Sequence, residues 1–164
     1  MITFRQITKA EYPLIRDIHN AAIEAGEYLT LAPQNDEETR IRYWFGDEVW
    51  IAEENGKVLG SYYQRPNHYG YGSHIANGGY IVSPEAKGRG IGRLLGEHSI
   101  ARAREKGYRA MQYNFVVSTN TIAVKLWQSL GFRIIATIPE GYHRQGKEYV
   151  DAYVMFRNLV TSGE

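Results

Sequence analysis

Between Pro84 and Arg93 the chain sets Gly88, Gly90 and Gly92 among Lys87, Arg89 and Arg93. A β-type run ending at Pro84 precedes this turn, and an amphipathic segment opens directly after it. That order aims free backbone N–H groups and the positive end of a helix dipole at one point, which suits a phosphate. Glycines, lacking a Cβ, let an anion approach the main chain closely. The turn is expected to cradle a pyrophosphate. Glycine also serves strand–turn–helix connections for structure alone, so the glycines by themselves leave both roles open. Two other phosphate signatures are excluded. There is no G-x-x-x-x-G-K-[ST], and the G-x-G-x-G spacing departs from G-x-G-x-x-G, with no acidic residue closing a second strand about twenty residues on.

A second motif follows about thirty residues later: Asn120-Thr-Ile-Ala-Val-Lys-Leu-Trp127-Gln-Ser-Leu-Gly131-Phe132. Ser118 or Asn120 can cap a helix whose Ile122, Ala123, Leu126, Trp127 and Leu130 share one face, and Gly131 supplies its stop. Taken alone this is an ordinary capped amphipathic helix. The two motifs together, in this order and joined by one strand, resemble the GCN5-related N-acetyltransferases (GNATs). Lys87-Gly-Arg-Gly-Ile-Gly92 is similar to that family's [QR]-x-x-G-x-[GA] loop, with Lys in the slot usually held by Gln or Arg. The second segment is similar to its N-x-x-A-x-x-L-[YW]-x-x-x-G-F helix and turn.

The resemblance implies acetyl-CoA as cofactor. Lys87, Gly88, Arg89, Gly90, Ile91, Gly92 and Arg93 would bind its pyrophosphate, chiefly through the main chain. The edge of Tyr80, Ile81 and Val82 would pair with the pantetheine arm, and a backbone N–H near Ile81 or Val82 would face the thioester oxygen. Asn120 would contact the coenzyme arm. Many relatives place at position 127 a tyrosine that protonates the leaving thiolate. Trp127 cannot release a proton near neutral pH, so that role is not carried over, and its indole is expected to pack the helix on the sheet.

Asn77, Asn114 and Asn120 also resemble, in spacing, the asparagines of yeast azetidine-2-carboxylate and proline-analogue N-acetyltransferases. This implies that Asn114 and Asn120 bind a substrate carboxylate and that Asn77, the catalytic candidate, lies beside the reacting nitrogen or the oxyanion. Strand alternation is permissive: Asn77 shares a side with Ile75, Gly79 and Ile81, and Asn114 should face away from Tyr113 and Phe115. Singly, each asparagine reads more readily as structural. For a general base, His68, His74, His143, Glu24 and Glu27 are candidates only by reach.

The remaining residues must position these groups. Residues 2–8 alternate as a strand, and Ala10 to Ala25 carries Leu14, Ile15, Ile18, Ala22 and Ile23 at helical spacing, closed by Gly26. Asn35 or Asp36 can cap a helix to Phe45. Val49–Glu53 and Lys57–Tyr63 form a hairpin about Asn55-Gly56. Gly70 to Ser73 reads as a flexible connection and Ile75–Val82 as the strand into the cradle. A helix then runs to Gly107, a strand spans 109–117, and the Asn120 helix follows. Phe132–Ile138 is expected as a strand, Pro139–Gly146 as a loop, and Glu148–Phe156 as the last strand. The order matches an α/β (α+β) acyl-CoA N-acyltransferase fold, a mixed, mostly antiparallel sheet of about six or seven strands with about four helices.

At 164 residues the chain is expected to be one N-acetyltransferase domain, 1–164. With 19 basic and 18 acidic side chains it offers no general footprint for nucleic acid or an anionic membrane. Zero cysteines exclude disulfides, thiolate metal sites and a cysteine acyl carrier; the histidines lack metal-ligand spacing, so no metal is implied. No apolar run is long enough to span a bilayer, and Met1 leads directly into a strand, so a cytoplasmic protein is expected. The 13 tyrosines, clustered at Tyr62, Tyr63, Tyr69, Tyr71 and Tyr80, suit strand packing first, then a substrate pocket or a homodimer face.

The expected activity is acetyl transfer to a small-molecule amine, an amino acid or cyclic imino acid, by direct attack in a ternary complex. Rival readings are a non-catalytic acyl-CoA sensor and an acetyltransferase acting on a protein N-terminus or lysine. A closed pocket lined by tyrosines favours small substrates; an open groove beside Tyr80 favours proteins.

Overall fold

The computed structural model describes residues 1–161. The described residues form seven strands: β1 (Thr3–Ile7), β2 (Glu48–Glu54), β3 (Lys57–Pro66), β4 (Ile75–Val82), β5 (Ala110–Val117), β6 (Arg133–Arg144) and β7 (Glu148–Asn158). Four α-helices accompany them: α1 (Arg16–Ala25), α2 (Glu37–Trp44), α3 (Ile91–Glu105) and α4 (Thr121–Ser129). The strands form one sheet in the order β1-β2-β3-β4-β5-β7-β6. Every pairing is antiparallel except β4 with β5. This is the mixed, mostly antiparallel sheet expected.

Alternation along the strands gives each face its own core. Tyr12, Ile15, Trp44, Ile51, Tyr63 and Ile81 pack on the α1/α2 side. Met111, Tyr113, Trp127, Phe132 and Met155 pack on the α3/α4 side. Burying each such side chain contributes about 1.5–3 kcal/mol. Gly96 lets α3 and α4 approach, because a Cβ there would meet Leu130 Cδ1 at 2.8 Å and Trp127 Cζ3 at 2.9 Å.

Two elements differ from the sequence reading. The expected helix from Ala10 to Ala25 is a 3-10 turn over Lys9–Leu14 followed by α1. Pro13 explains the break, since it lacks an N–H and disfavours the α conformation at Tyr12. The expected loop from Pro139 to Gly146 is mostly strand: β6 runs on to Arg144. Pro139 is tolerated because β6 is the outermost strand, and a bulge between Ile138 and Tyr142 absorbs it.

Candidate active site

β4 and β5 pair only at Ile75↔Ala110 and Ala76↔Met111, then diverge. Asn67 N–H donates to the Ile75 carbonyl and Ser83 N–H to the Leu59 carbonyl, each at 2.8 Å. Antiparallel alternation therefore turns the main chain of Ile75, Asn77, Gly79, Ile81 and Ser83 toward β3, and that of Gly78, Tyr80 and Val82 toward the gap. Past Ala76 no ladder to β5 runs beside them. Ile81, expected on that edge, instead pairs with Ser61 and buries its side chain at 1% exposure. At this edge the main chain of Tyr80 and Val82 faces the gap, not that of three successive residues.

The gap opens into a cleft of about 580 Å³ that passes from the cradle to the α1/α2 side. Its lining includes Lys87 and Gly92 at one end, Tyr80, Val82 and Trp127 midway, and Tyr28, Tyr43 and Tyr63 at the other. Asn77, Asn114 and Asn120 all border it.

At the cradle end Gly88 and Gly90 adopt φ of 81° and 75°, which favours glycine, and nothing lies within 4 Å of a Cβ built at either. α3 has no side-chain N-cap. Among the described residues no protein acceptor meets the N–H groups of Gly88, Gly90, Ile91, Gly92 and Arg93. The Arg89 N–H is spent inside the turn, on the Ala86 carbonyl at 3.2 Å. Arg89 itself pairs with Glu54 at 2.7 Å, and Arg93 donates to Ser129 Oγ at 2.6 Å. Lys87 makes no ion pair among the described residues. Open space, free donors and a free cation at a helix start fit a diphosphate.

Asn77 and Asn120 are oriented by the same device. Asn77 Oδ1 accepts the Gly78 N–H at 2.8 Å, and Asn120 Oδ1 accepts the Ala123 N–H at 3.3 Å as the α4 cap. An N–H can donate only to the oxygen of each amide, so both Nδ2 groups are left as donors. Asn114 is held differently. Its Nδ2 donates to Asn67 Oδ1 at 2.7 Å and its Oδ1 accepts from Gln112 Nε2 at 3.0 Å, a bridge across the base of the splay. Asn114 was expected to face away from both Tyr113 and Phe115. The register shifts between Tyr113 and Val116, and this bulge turns Phe115 against Tyr142 while Tyr113 stays stacked on Phe132.

Trp127 is buried, its ring centroid 4.7 Å from those of both Tyr80 and Tyr113. Ser99 Oγ donates to the Gly96 carbonyl, so Tyr80 must donate to Ser99 and Tyr113 to Tyr80, each at 2.7 Å. Burial pushes the Tyr80 hydroxyl up to about 12 and that of Tyr113 well above its ordinary value. Both stay protonated near neutral pH, and the chain ends on a carbonyl. It fixes ring positions and does not relay protons.

Of the five candidate bases, only Glu27 borders the cleft. Arg144 and Gln145 both donate to its carboxylate. Glu24 and His143 line a separate hollow, and His68 and His74 are exposed near the 3-10 turn Gly70–Gly72. Sequence reasoning reached Tyr63 only as one of a tyrosine cluster suited to strand packing or a pocket, without the glycine that places its ring. A Cβ on Gly79 would stand 2.4 Å from the Tyr63 ring, so Gly79 admits that ring beside the cleft. The Gly-Gly pair inside a strand was the signal for that close approach. Asn67 and Gln112, which hold Asn114, had no signal short of the register.

A split mixed sheet, with unpaired N–H groups at the mouth of the split and asparagine amides bordering it, fits an enzyme that holds a phosphate-bearing donor against an acceptor. The model of the acetyltransferase (GNAT) family matches residues 12–132, and the chain belongs to that family of N-acetyltransferases, in whose homologues acetyl-CoA is the acyl donor. It is 39% identical over 98 residues to the N-acetyltransferase aca1 of Schizosaccharomyces pombe, a match spanning 59% of this chain and 47% of that protein. The chain thus spans about half the length of that relative. It is 32% identical over 151 residues to the L-amino acid N-acyltransferase MnaT of Escherichia coli, covering 85% of this chain and 84% of that one. A GCN5-related N-acetyltransferase structure from Kribbella flavida superposes with a TM-score of 0.90 at 39% identity, covering 96% of this chain and 98% of the other. The structure of yncA from Salmonella typhimurium, solved with its cofactor acetyl-CoA, superposes with a TM-score of 0.85 at 26% identity, covering 100% of this chain and 97% of the other.

Proposed function

We propose that residues 1–164 form one domain that acetylates the amine of a small amino acid or cyclic imino acid. The observation that carries this reading is the pair of pinned amides. Asn77 and Asn120 both border the cleft that begins at the cradle, each with its Oδ1 engaged and its Nδ2 left as a donor. Two neutral donors with no competing acceptor suit a carboxylate. Relatives named for L-amino acids support that substrate class, and the asparagine spacing supports an acceptor resembling proline analogues. The tyrosines lining that end support a small acceptor over a protein.

Acetyl-CoA, when bound, supplies the activated acetyl group. The free N–H groups of Gly88 and Gly90 to Arg93, with Lys87, hold its diphosphate, and the gap-facing main chain of Tyr80 and Val82 holds its amide-bearing arm. One of those N–H groups is free to steady negative charge developing on an oxygen. Asn77 and Asn120 align the acceptor, so the amine enters the cleft already oriented. Zero cysteines leave no thiol carrier, which supports direct transfer.

The test is thiol release from acetyl-CoA over a panel of amino acids, imino acids, simple amines and peptides. Turnover is expected with amino or imino acids, and weak or none with the same amines lacking the carboxylate. Equal rates with and without the carboxylate would overturn the substrate reading. Apart from tyrosines, the cleft's titratable groups are Glu27 and Lys87. The rate is therefore expected to climb with pH toward the acceptor's own amine pKa, because the one carboxylate bordering the cleft among the described residues, Glu27, is already held by Arg144 and Gln145.

A further inference from the structure

The acceptor end of the cleft has a wall that the transfer chemistry does not use. Residues 26–30, just beyond α1, form it, and the tip of the β6–β7 hairpin holds them. Gln145 N–H donates to the Gly26 carbonyl at 2.9 Å. Arg144 Nε donates to Glu27 Oε2 at 2.7 Å and Nη2 to Oε1 at 3.3 Å. Tyr142 O–H donates to the Leu29 carbonyl at 2.7 Å. Gly26, at φ 62°, fits closely here, since a Cβ would meet Gln145 Cα at 3.1 Å.

The hairpin reaches this wall because β6 is bent. Pairing passes from Ile138↔Ala152 directly to Tyr142↔Val150, so Pro139, Glu140 and Gly141 oppose Asp151 alone. Asp151 Oδ1 accepts the Glu140 N–H at 2.9 Å, and Glu140 takes φ 49°. Beyond the bulge Tyr142 turns inward onto Phe115, the one buried residue of β6. Behind the wall lies a second hollow of about 860 Å³. It shares Ala25, Leu29, Thr30 and Phe115 with the cleft, so the partition is a single layer of residues.

We propose that this latch sizes the acceptor: Tyr142 and Arg144 are positioning residues that keep Leu29 and Thr30 between the two hollows, confining the enzyme to free amino acids and excluding peptides. The inference rests on the amino-acid reading above and adds a named determinant of acceptor length. With the partition in place, an acceptor extended through its carboxylate meets Leu29. With it loosened, the cleft and the second hollow become one space.

The test compares free amino acids with the same residues extended by glycine, X against X-Gly, in the wild-type chain and in Tyr142→Phe and Arg144→Met. Tyr142→Phe keeps the ring on Phe115 and removes only the bond to Leu29. Each variant is expected to shift the X to X-Gly ratio of kcat/KM about tenfold toward the dipeptide, with KM for acetyl-CoA unchanged and Arg144→Lys restoring part of the preference. A ratio equal to wild type, or equal loss for both acceptors, overturns the proposal. Hydrogen exchange without substrate gives an independent readout: amides 26–30 are expected to exchange faster in both variants, and unchanged exchange removes the latch itself. Failure of the underlying reading shows differently, as absence of thiol release by the wild-type chain with every amino acid.

Discussion

The two ends of the cleft are built from different materials. The cradle end is backbone: free N–H groups at the start of α3, two left-handed glycines and the unpaired edge of β4. The acceptor end is side chain: asparagine amides each oriented by one hydrogen bond, tyrosine rings, and a wall held by a hairpin more than a hundred residues away in sequence. Backbone groups are placed by secondary structure and survive most substitutions. Side-chain donors depend on a single atom type. The cradle should therefore lose function gradually under mutation, and the acceptor end abruptly.

The sharpest way to break that contrast is an isosteric change at the acceptor end. Asn77→Asp keeps an oxygen to accept the Gly78 N–H but replaces the Nδ2 donor with a charged acceptor. Facing a substrate carboxylate, this is expected to lower kcat/KM for the acceptor roughly a thousandfold, about 4 kcal/mol. KM for acetyl-CoA should hold. Asn120→Asp, which keeps the α4 cap, should act in the same direction. Steady-state kinetics varying each substrate separately decides the matter, and an Asn77→Asp enzyme within threefold of wild type would remove the amide from the site.

A second difference between the ends is titratable. His19, in α1, is fully buried with Nδ1 3.1 Å from Tyr12 Oη and, among the described residues, no partner at Nε2. Burial, with Arg40 adding to it, lowers its pKa to about 4. An unfolded histidine titrates near 6.5, so between those values the unfolded chain binds more protons and stability falls as pH drops. The full penalty approaches roughly 3 kcal/mol below about pH 4. Denaturant unfolding at pH 7, 5.5 and 4.5 should show this slope, with His19→Leu flattening it. Amide exchange should rise first in α1, beside the acceptor end, rather than in α3.

The same division explains what the sequence disclosed. Gly88, Gly90 and the helix after them were legible because a backbone site needs residue types that appear as a motif. Asn120 was legible as a cap for the same reason. Ile81 was misread as part of the ligand edge because strand parity relative to β3 depends on register, which no local pattern carries. Phe115 was misplaced by a bulge, and Pro139 suggested a loop where an edge strand tolerates it. The bonds from Tyr142 to Leu29 and from Arg144 to Glu27 had no local signature at all. They exist only once β6 and β7 pair.

At the cradle, the comparison sharpens with Gly88→Ala or Gly90→Ala. A Cβ meets nothing within 4 Å at either position, so the cost is conformational, about 1 kcal/mol for a left-handed alanine. The added methyl also stands where a diphosphate would approach. Coenzyme A affinity is expected to fall about tenfold, measured by calorimetry, with acceptor KM unaltered. A loss matching that of Asn77→Asp would erase the proposed contrast.

The smallest effect should come from Lys87, although it looks from sequence like the principal cation of the loop. It is exposed, so its attraction to a phosphate is screened by water and salt. The main-chain donors remain when it is removed, and α3 keeps its dipole. Lys87→Ala should therefore weaken coenzyme A binding only about threefold, roughly 0.7 kcal/mol, at moderate ionic strength. The difference from wild type should shrink as salt is raised, whereas the Gly88→Ala deficit should persist because it is steric and conformational. Calorimetry at two salt concentrations separates the cases. A loss of a hundredfold or more at Lys87 would mean that the side chain, not the peptide nitrogens, holds the diphosphate, and that both ends of the cleft obey the same rule after all.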